Sequence, residues 1–270
     1  MIRLQPSGVI TITTDFGHKG PFAAVMKGVI LGRFPRAQII DLAHDIPAQW
    51  PPEAGFWVSR SYRWFPEGTV HIAIVDPGVG TERDILLAVC DGHVFMAPDN
   101  GLLAQLFDSC DEPRVYKLES AKIGSLNLPA PSATFHGRDI FAPIAAELAA
   151  GRISVQDIAT EMHDWTPGWI DEPDATRGKV TGVIVTVDTF GNLISNIDAS
   201  LIQDFSEPVA NLAGHQIAMH TTYGRVKPGD YLALVNSFGV VEVAKSEGSA
   251  ADGLGSARGA PLVIRDGYET

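Results

Sequence analysis

The chain has 270 residues, which is enough to bury a large core and favours one large domain or two modest ones. Its 32 acidic and 20 basic residues leave a formal net charge of −12, which argues against a nucleic-acid or anionic-membrane surface and favours a small-molecule partner. The two cysteines, Cys90 and Cys110, are too few for a disulfide framework, and we expect both to be small buried residues. With no signal-peptide pattern and no run of about 18 apolar residues, a reducing cytoplasm is the expected location.

The first part of the chain alternates short runs of β-branched residues with segments whose apolar residues recur at helical spacing. The predicted strands are 8–14, 38–42 and 69–75, with a hairpin of 86–90 and 94–97, and the predicted helices are 21–34, 52–64, 102–107 and 140–150. This alternation predicts an α/β domain over residues 1–165, with a mostly parallel sheet flanked by helices and ligands at the carboxyl ends of its strands.

The last part of the chain changes character after a stretch rich in Pro, Asp and Trp. We predict a linker at 166–178 and a smaller C-terminal domain at 179–270. Short strands separated by turns favour an antiparallel barrel-like domain, with a helical pattern only at 198–205. The predicted strands are 180–187, 193–197, 216–220, 231–235, 240–244 and 261–264.

Three carboxylates, Asp15, Asp41 and Asp76, come near the ends of predicted strands in the first domain. Asp76 opens a turn relieved by two glycines, and Arg83 follows within one short loop, which suits either an active site or a strand-ending turn with a surface ion pair. Asp139 precedes a predicted helix and is more typical of an N-cap than of a catalytic group.

A metal site is one possible use of these side chains, because imidazole and carboxylate groups suit zinc, manganese or iron. The candidate ligands lack the i, i+4 spacing of a helical zinc pair, and the chain has neither a phosphate-binding loop nor a nucleophile elbow. One alternative function is therefore a metal-dependent phosphoester or nucleoside hydrolase. Its residues would be Asp15, Asp41, His44 and Asp76.

Eight short motifs, in order along nearly the whole chain, together resemble the S-adenosyl-L-methionine (SAM) hydroxide adenosyltransferases, which are SAM hydrolases related to the SAM-dependent fluorinase and chlorinase. The motifs are TTDFG (13–17), MKGVI (26–30), DLAHDI (41–46), DPGVGTER (76–83), APDNG (97–101), FHGRDIFAP (135–143), DTFGNLISNI (188–197) and NSFG (236–239). The resemblance implies hydrolysis of SAM to adenosine and L-methionine by water or hydroxide attack at the ribose C5′, without a metal or a cofactor.

The resemblance also implies roles for individual residues. Asp76, Arg83 and His136 match the family residues that orient the attacking water. The matching substrate-binding residues are Asp15 for the ribose hydroxyls, Trp50 beside the ribose and adenine, Phe190 and Asn192 for the adenine, and Asp188 and Ser237 for the methionine end. The family further implies a homotrimer with active sites at subunit interfaces.

Two departures from related enzymes bear on the expected reaction. Many family members carry an acidic residue where this chain has Gly20, so the usual partner of the methionine ammonium is missing or replaced. The fluorinase has Tyr at the position of Asp76 and Tyr-Ser at the position of His136-Gly137, where the Ser contacts halide, and this chain also lacks the extra loop of the halogenases. The residues that differ from the fluorinase and the missing loop both favour water as the nucleophile. A non-catalytic SAM- or adenosine-binding protein is the remaining alternative.

Overall fold

The structure is a computed structural model that describes residues 5–267, and the chain divides into two compact units, one ending at Trp169 and one beginning at Ile170. The first unit is a sheet flanked by helices and the second is an antiparallel, nearly closed barrel-like sheet. The predicted α/β class is therefore confirmed. Among residues 5–267, the helices are all too short or too polar to cross a bilayer.

The sheet of the first unit is mixed. Its strand order is β2-β1-β3-β5-β4-β6-β7, in which the pairings from β2 to β5 are parallel and those from β5 to β7 are antiparallel. The strands are β1 (Val9–Thr14), β2 (Gln38–Ala43), β3 (Val70–Ile74), β4 (Ile85–Cys90), β5 (His93–Pro98), β6 (Arg114–Leu118) and β7 (Ala159–Met162). The sequence did not predict β6 or β7. The hairpin of β4 and β5 turns at Asp91-Gly92, both with positive φ, as predicted.

Helices cover both faces of this sheet because successive strand residues point to opposite sides. Ile72 and Ile74 of β3 belong to one buried cluster, whereas Ala73 and Val75 belong to another. The first cluster packs against α1 and α4, and the second against α2 and α3. The helices are α1 (Phe22–Arg33), α2 (Pro51–Ser61), α3 (Ala104–Asp108), α4 (Ala142–Ala149) and α5 (Val155–Ile158), with a π-helical turn at Gly137–Phe141 and 3₁₀ turns at Tyr62–Trp64 and Ile123–Leu126.

The second unit is a sheet in the order β12-β11-β15-β9-β10-β14-β13, with β8 paired to β9. The N–H of His220 donates to the carbonyl of Ala233 at 2.8 Å, which brings the two ends of the sheet together. Its strands are β8 (Asp174–Thr176), β9 (Lys179–Val187), β10 (Leu193–Asp198), β11 (Pro208–Leu212), β12 (His215–Ala218), β13 (Tyr231–Val235), β14 (Val240–Lys245) and β15 (Pro261–Asp266), with α6 at Ala250–Leu254 and 3₁₀ turns at Ala199–Ile202 and Tyr223–Arg225.

The two cysteines are buried, as expected, but they form a disulfide, which the sequence analysis did not predict. Cys90 ends β4 and Cys110 follows α3, and the chain returns so that their Cα atoms lie 6.1 Å apart, within the range that a disulfide spans. The number of cysteines did not reveal this local pairing. Because disulfides are typical of oxidising compartments, the cysteines do not support a reducing location, and the cytoplasmic location stays a prediction.

Candidate active site

The first group of candidate residues lies where β1 and β3 end side by side. The two strands are parallel neighbours, with Thr14 of β1 in register with Ile74 of β3. Asp15 and Asp76 follow close behind these residues, so both carboxylates lie at the carboxyl edge of the sheet, where ligands of open α/β sheets bind. The β-branched, fully buried strands fix this edge, and the turns beyond it carry the polar groups.

Arg83 holds Asp76 through its guanidinium group. Its Nε lies 2.8 Å from Oδ1 and 2.9 Å from Oδ2 of Asp76, and its second nitrogen also donates to Oδ2. The two side chains are only 11% and 5% exposed. This pairing is a charge-assisted, forked contact that fixes the carboxylate and leaves further lone pairs on its oxygens. The alternative of a surface ion pair is wrong, because the pair is mostly buried.

His136 joins this pair at its Nδ1 atom, which lies 3.2 Å from a terminal nitrogen of Arg83. A guanidinium group has only donors, so Nδ1 must accept this hydrogen bond and the ring proton of neutral His136 must be on Nε2. Burial and the charge of Arg83 lower the pKa of His136, whereas Asp76 and Asp139 act in the opposite direction. The neutral ring therefore offers an Nε2–H donor close to the pair of Asp76 and Arg83.

Two contacts to backbone carbonyls hold the loops of this site in place. Gly80 has a φ of +80°, and a Cβ there would lie 2.1 Å from the carbonyl oxygen of Ala133, so only glycine lets the loop after Asp76 approach the segment before His136. Asn100 donates from Nδ2 to the carbonyl of Val75 at 2.8 Å and so anchors the end of β3. Sequence reasoning had not assigned a role to Asn100, although its turn motif marked the position.

Asp139 is not a helix cap, which corrects that prediction. It lies inside the π-helical turn, where its carboxylate accepts hydrogen bonds from the N–H and hydroxyl of Ser132 at 2.8 and 2.7 Å. Arg138 donates to the same carboxylate, and these hydrogen bonds hold the pKa of Asp139 far below its usual range. The network ties the segment around His136 to the preceding loop, so Asp139 supports the site without being a reacting group.

Asp15 and Trp50 lie together at the end of β1. The N–H of Gln49 donates to Oδ2 of Asp15 at 3.0 Å, which leaves lone pairs of the carboxylate for a ligand. Trp50, the next residue, packs edge-on against Trp169 with the ring centroids 5.7 Å apart. A carboxylate next to an aromatic ring suits a ribose with an attached flat base.

The metal-ligand set considered from the sequence is not assembled. His44 is buried between Thr14 and Asp41, to which its ring nitrogens lie at 2.7 and 2.9 Å, while Asp41 also accepts from Lys27. Within residues 5–267, the only His, Cys, Asp and Glu side chains that cluster at metal-ligand distance are those of Cys90, Asp91 and Cys110, and the disulfide occupies both sulfurs. The metal-dependent alternative is therefore not favoured.

The second group of candidate residues lines a cavity of about 770 Å³ in the second unit. Asp188 organises the turn between β9 and β10, because its Oδ1 accepts from the N–H groups of Phe190 and Asn192 at 2.9 Å each. Its Oδ2 accepts from the Asn192 side chain, so that the Asn192 carbonyl oxygen remains as an acceptor. Phe190 is 76% exposed and presents an open ring face. Ser237 lies exposed in the turn between β13 and β14 and does not line this cavity.

Sequence reasoning missed two residues near this cavity, Tyr223 and Glu242. Tyr223 lines the cavity from a 3₁₀ turn and donates its hydroxyl to Oε1 of Glu242 at 2.7 Å. Glu242 lies inside β14 and is buried, and its other oxygen accepts from Nδ2 of Asn236 at 3.1 Å. A glutamate among the apolar residues of a strand was the available signal, since a buried carboxylate needs partners.

Comparisons with known proteins cover both units. Family models match residues 10–159, as the SAM hydroxide adenosyltransferase N-terminal domain, and residues 182–263, as its C-terminal domain. Proteins named (R)-S-adenosyl-L-methionine hydrolase are 36% identical in Thermus thermophilus, covering 92% of this chain and 96% of that protein, and 35% identical in Salinispora tropica, covering 98% and 100%. The crystal structure of an uncharacterized conserved protein from Thermotoga maritima is similar with a TM-score of 0.87 at 31% identity, covering 95% of this chain and 99% of that one.

Proposed function

The chain belongs to the SAM hydroxide adenosyltransferase family, and from this premise we propose that it is a hydrolase that converts S-adenosyl-L-methionine to adenosine and L-methionine. The observation that carries the proposal is the buried cluster of Asp76, Arg83 and His136 beside the ribose-type site at Asp15. The cavity of the second unit, which combines the aromatic ring of Phe190 with the amide of Asn192, supports recognition of a nucleoside.

The reaction is a displacement at carbon. The water oxygen forms a bond to the ribose C5′, the C5′–S bond breaks, and its electron pair returns to sulfur to give the neutral thioether of methionine. Because this leaving group is neutral, it needs no acid, metal or cofactor, and the protein has to orient and deprotonate the water. A water held in line with the C5′–S bond is the only co-reactant.

Proton acceptance falls to Asp76 in this proposal. Nδ1 of His136 is engaged by Arg83, and its Nε2 carries a proton, so the ring acts as a donor that orients the water. The Asp76 carboxylate is the remaining acceptor, and Arg83 holds it in place through the forked contact. Arg83 is thus the residue that fixes both the base and the tautomer of the histidine.

Substrate binding draws on the other predicted residues. Asp15 accepts hydrogen bonds from the two ribose hydroxyls, and Trp50 packs beside the ribose and adenine. Phe190 stacks on the adenine while Asn192 hydrogen-bonds it. Asp188 and Ser237 bind the methionine end, and Ser237 does so from its exposed turn.

A homotrimer with active sites at subunit interfaces is part of the proposal. Its support within the chain is the outer side of α1, where Val25 and Leu31 are exposed. Gly28 lies in the middle of this helix, and a Cβ there would have no neighbour within 4 Å. Glycine in a helix costs about 1 kcal/mol relative to alanine, so a close approach by a second subunit gives it a reason.

Light scattering should find trimers for the wild type and smaller species for Gly28→Trp. Gly124→Trp is the matched control.

The decisive test is incubation of the purified, chelator-treated protein with SAM in water enriched in oxygen-18, followed by chromatography and mass spectrometry. The expected products are L-methionine and adenosine that carries the heavy oxygen at the 5′ position. If SAM is bound but survives, the chain is a non-catalytic binding protein. Turnover that appears only after metal is restored would instead revive the metal-dependent hydrolase.

A further inference from the structure

The Tyr223 hydroxyl is held in one orientation by the buried Glu242. Glu242 is 2% exposed, and both of its carboxylate oxygens accept hydrogen bonds, one from Tyr223 and one from Asn236. Accepting at both oxygens is the pattern of the ionised carboxylate. Because the single hydroxyl proton of Tyr223 is committed to Glu242, its oxygen can only accept from a ligand in the cavity.

Carboxylates lie near this hydroxyl. Asp188 lines the same cavity as Tyr223. Burial raises the pKa of both Tyr223 and Glu242, and the charge of Asp188 acts in the same direction. The donors to the Glu242 carboxylate within residues 5–267, Tyr223 and Asn236, are neutral groups. A desolvated anion with neutral partners is costly, and a cation bound nearby lowers that cost. Asp188 and Tyr223 line one corner of the cavity, and Glu242 is buried behind the Tyr223 hydroxyl. This arrangement, here called the acidic corner, therefore suits a cationic N–H donor.

The substrate in the proposed function, on which this inference rests, carries such a donor as its α-ammonium group. Gly20 has no side chain to bind that group from the first unit. We propose that Tyr223 binds the α-ammonium of SAM together with Asp188, and that Glu242 is the positioning residue that turns the Tyr223 hydroxyl into an acceptor. Lys245, which lines the same cavity, has the charge to bind the neighbouring carboxylate.

The exchange of Glu242 for glutamine directly tests the direction of the hydrogen bond between Tyr223 and Glu242. Asn236 donates from its amide nitrogen, so the introduced glutamine side chain must present its oxygen to Asn236 and its NH₂ group to Tyr223. The tyrosine hydroxyl then accepts from the glutamine and points its own proton into the cavity, where it opposes an ammonium group. Shape and volume are nearly unchanged in Glu242→Gln, whereas Tyr223→Phe removes the hydroxyl altogether.

The experiment measures hydrolysis of two substrates by the wild type, E242Q and Y223F. One is SAM, and the other is 5′-deoxy-5′-dimethylsulfonioadenosine, which keeps the adenine, ribose and sulfonium but has no amino acid. Both variants should raise KM for SAM about ten- to hundredfold, as expected for loss of a charge-assisted hydrogen bond, with kcat little changed. KM for the truncated substrate should not change. E207Q, at an exposed position of the second unit outside the cavity, is the matched control.

The outcomes separate this inference from the proposed function. A parallel rise of KM for both substrates shows that Glu242 only supports the fold, and an unchanged KM for SAM removes Tyr223 from the ammonium site; either overturns the inference. If the wild type does not hydrolyse SAM, the proposed function fails instead. Calorimetry with SAM and adenosine then decides, because a weaker binding of SAM alone in E242Q supports the acidic corner and an equal affinity overturns it.

Discussion

The two candidate sites achieve order in different ways. In the first unit, the candidate catalytic cluster of Asp76, Arg83 and His136 is hydrogen-bonded within itself, and its ion pair is almost fully buried. In the second unit, the cavity has an open aromatic face, with Phe190 76% and Tyr223 45% exposed. The proposed reacting groups are thus held by contacts within the unit, whereas the proposed recognition groups are open to a ligand.

This difference follows from the folds that carry the sites. The catalytic cluster follows a fully buried parallel strand, and its loops are tied by the close contact of Gly80 and by the Asn100 side chain. The cavity is built from turns between antiparallel strands, and Asp188 holds one of them through local hydrogen bonds. Preorganised charges accelerate chemistry, whereas aromatic and apolar surfaces with a few polar groups bind ligands. Substitutions in the cluster of Asp76, Arg83 and His136 should therefore affect kcat, and substitutions in the cavity should affect affinity.

Asp76→Asn should have the largest effect and tests that separation most directly. The asparagine keeps the volume but loses the anion, and its NH₂ group opposes the donors of Arg83. We expect kcat to fall about 100- to 10,000-fold, the range for removal of a general base, while adenosine affinity measured by calorimetry stays within about twofold. Asp84→Asn, which removes an ion pair with Lys117 instead, is the control. Equal losses of turnover and of adenosine binding would refute the role given to Asp76.

Removing the disulfide should lower the unfolding free energy of the first unit and leave that of the second unit unchanged. It closes a loop between positions 20 apart in the first unit, and the second unit contains no cysteine. A loop of this length stabilises by about 3 kcal/mol through the unfolded state. The double variant Cys90→Ala/Cys110→Ala should therefore lower the unfolding free energy of the first unit by about that amount, seen in denaturant titration. Reducing agent should lower the wild-type value equally and leave the double variant unchanged.

The strand ends and the turn after Asp76 could be predicted from the sequence, because β-branched runs that stop at Asp-Pro-Gly define them locally. The pairing of Tyr223 with Glu242 could not, because it depends on the closure of the barrel between residues 19 positions apart. The sequence marked Asp139 as a residue near a helix start but wrongly predicted that it caps the helix. Its carboxylate accepts hydrogen bonds from Ser132 and Arg138 instead, and these compete with capping.

The short strands β6 and β7 show the same limit. Their sequences, RVYKL and ATEM, mix polar and apolar residues and have no clear alternation, yet they pair with each other at the antiparallel edge of the sheet. Tertiary pairing overrides a weak local preference in such strands. The candidate catalytic residues were proposed from the motif resemblance, and the structure adds the tautomer of His136 and the neighbours of Asp15, which depend on side-chain geometry.

Asp15→Ala should be the counterpart of the Asp76 variant, with its effect on binding. A carboxylate that accepts from two hydroxyls contributes about 1.5–3 kcal/mol, so adenosine affinity should fall about ten- to hundredfold. The loss should be the same for every ligand that contains ribose, and free methionine should bind as before. Calorimetry with adenosine and methionine measures both. Asp45→Ala, at an exposed carboxylate paired with His18, serves as the control, and retained adenosine affinity in Asp15→Ala would contradict the assignment.

The pH dependence should divide between the units in the same way, with the smallest effects. Burial and the charge of Arg83 lower the pKa of His136 below 6.5, so the ring gains its proton only at a lower pH than an ordinary histidine does. Protonation would remove the Nδ1 acceptor and place a cation against Arg83, so kcat should fall only as the pH drops through the lowered pKa, at a pH below 6.5.

Glu242 should act on KM instead of kcat. Burial raises the pKa of Glu242 above the ordinary 4.5, and its charge is needed to bind the ammonium group. As the pH falls, KM for SAM should therefore begin to rise at a higher pH than it would if this glutamate had an ordinary pKa. For the truncated sulfonium substrate, KM should not rise at low pH, whereas kcat should fall as it does for SAM. An unfolded histidine is protonated below about pH 6.5, whereas folded His136 takes up its proton only at a lower pH. Acid therefore favours the unfolded chain over this range, so the rates must be measured at pH values above that of acid unfolding. A kcat limb at or above pH 6.5 would show that His136 is not the neutral donor inferred from its contact with Arg83.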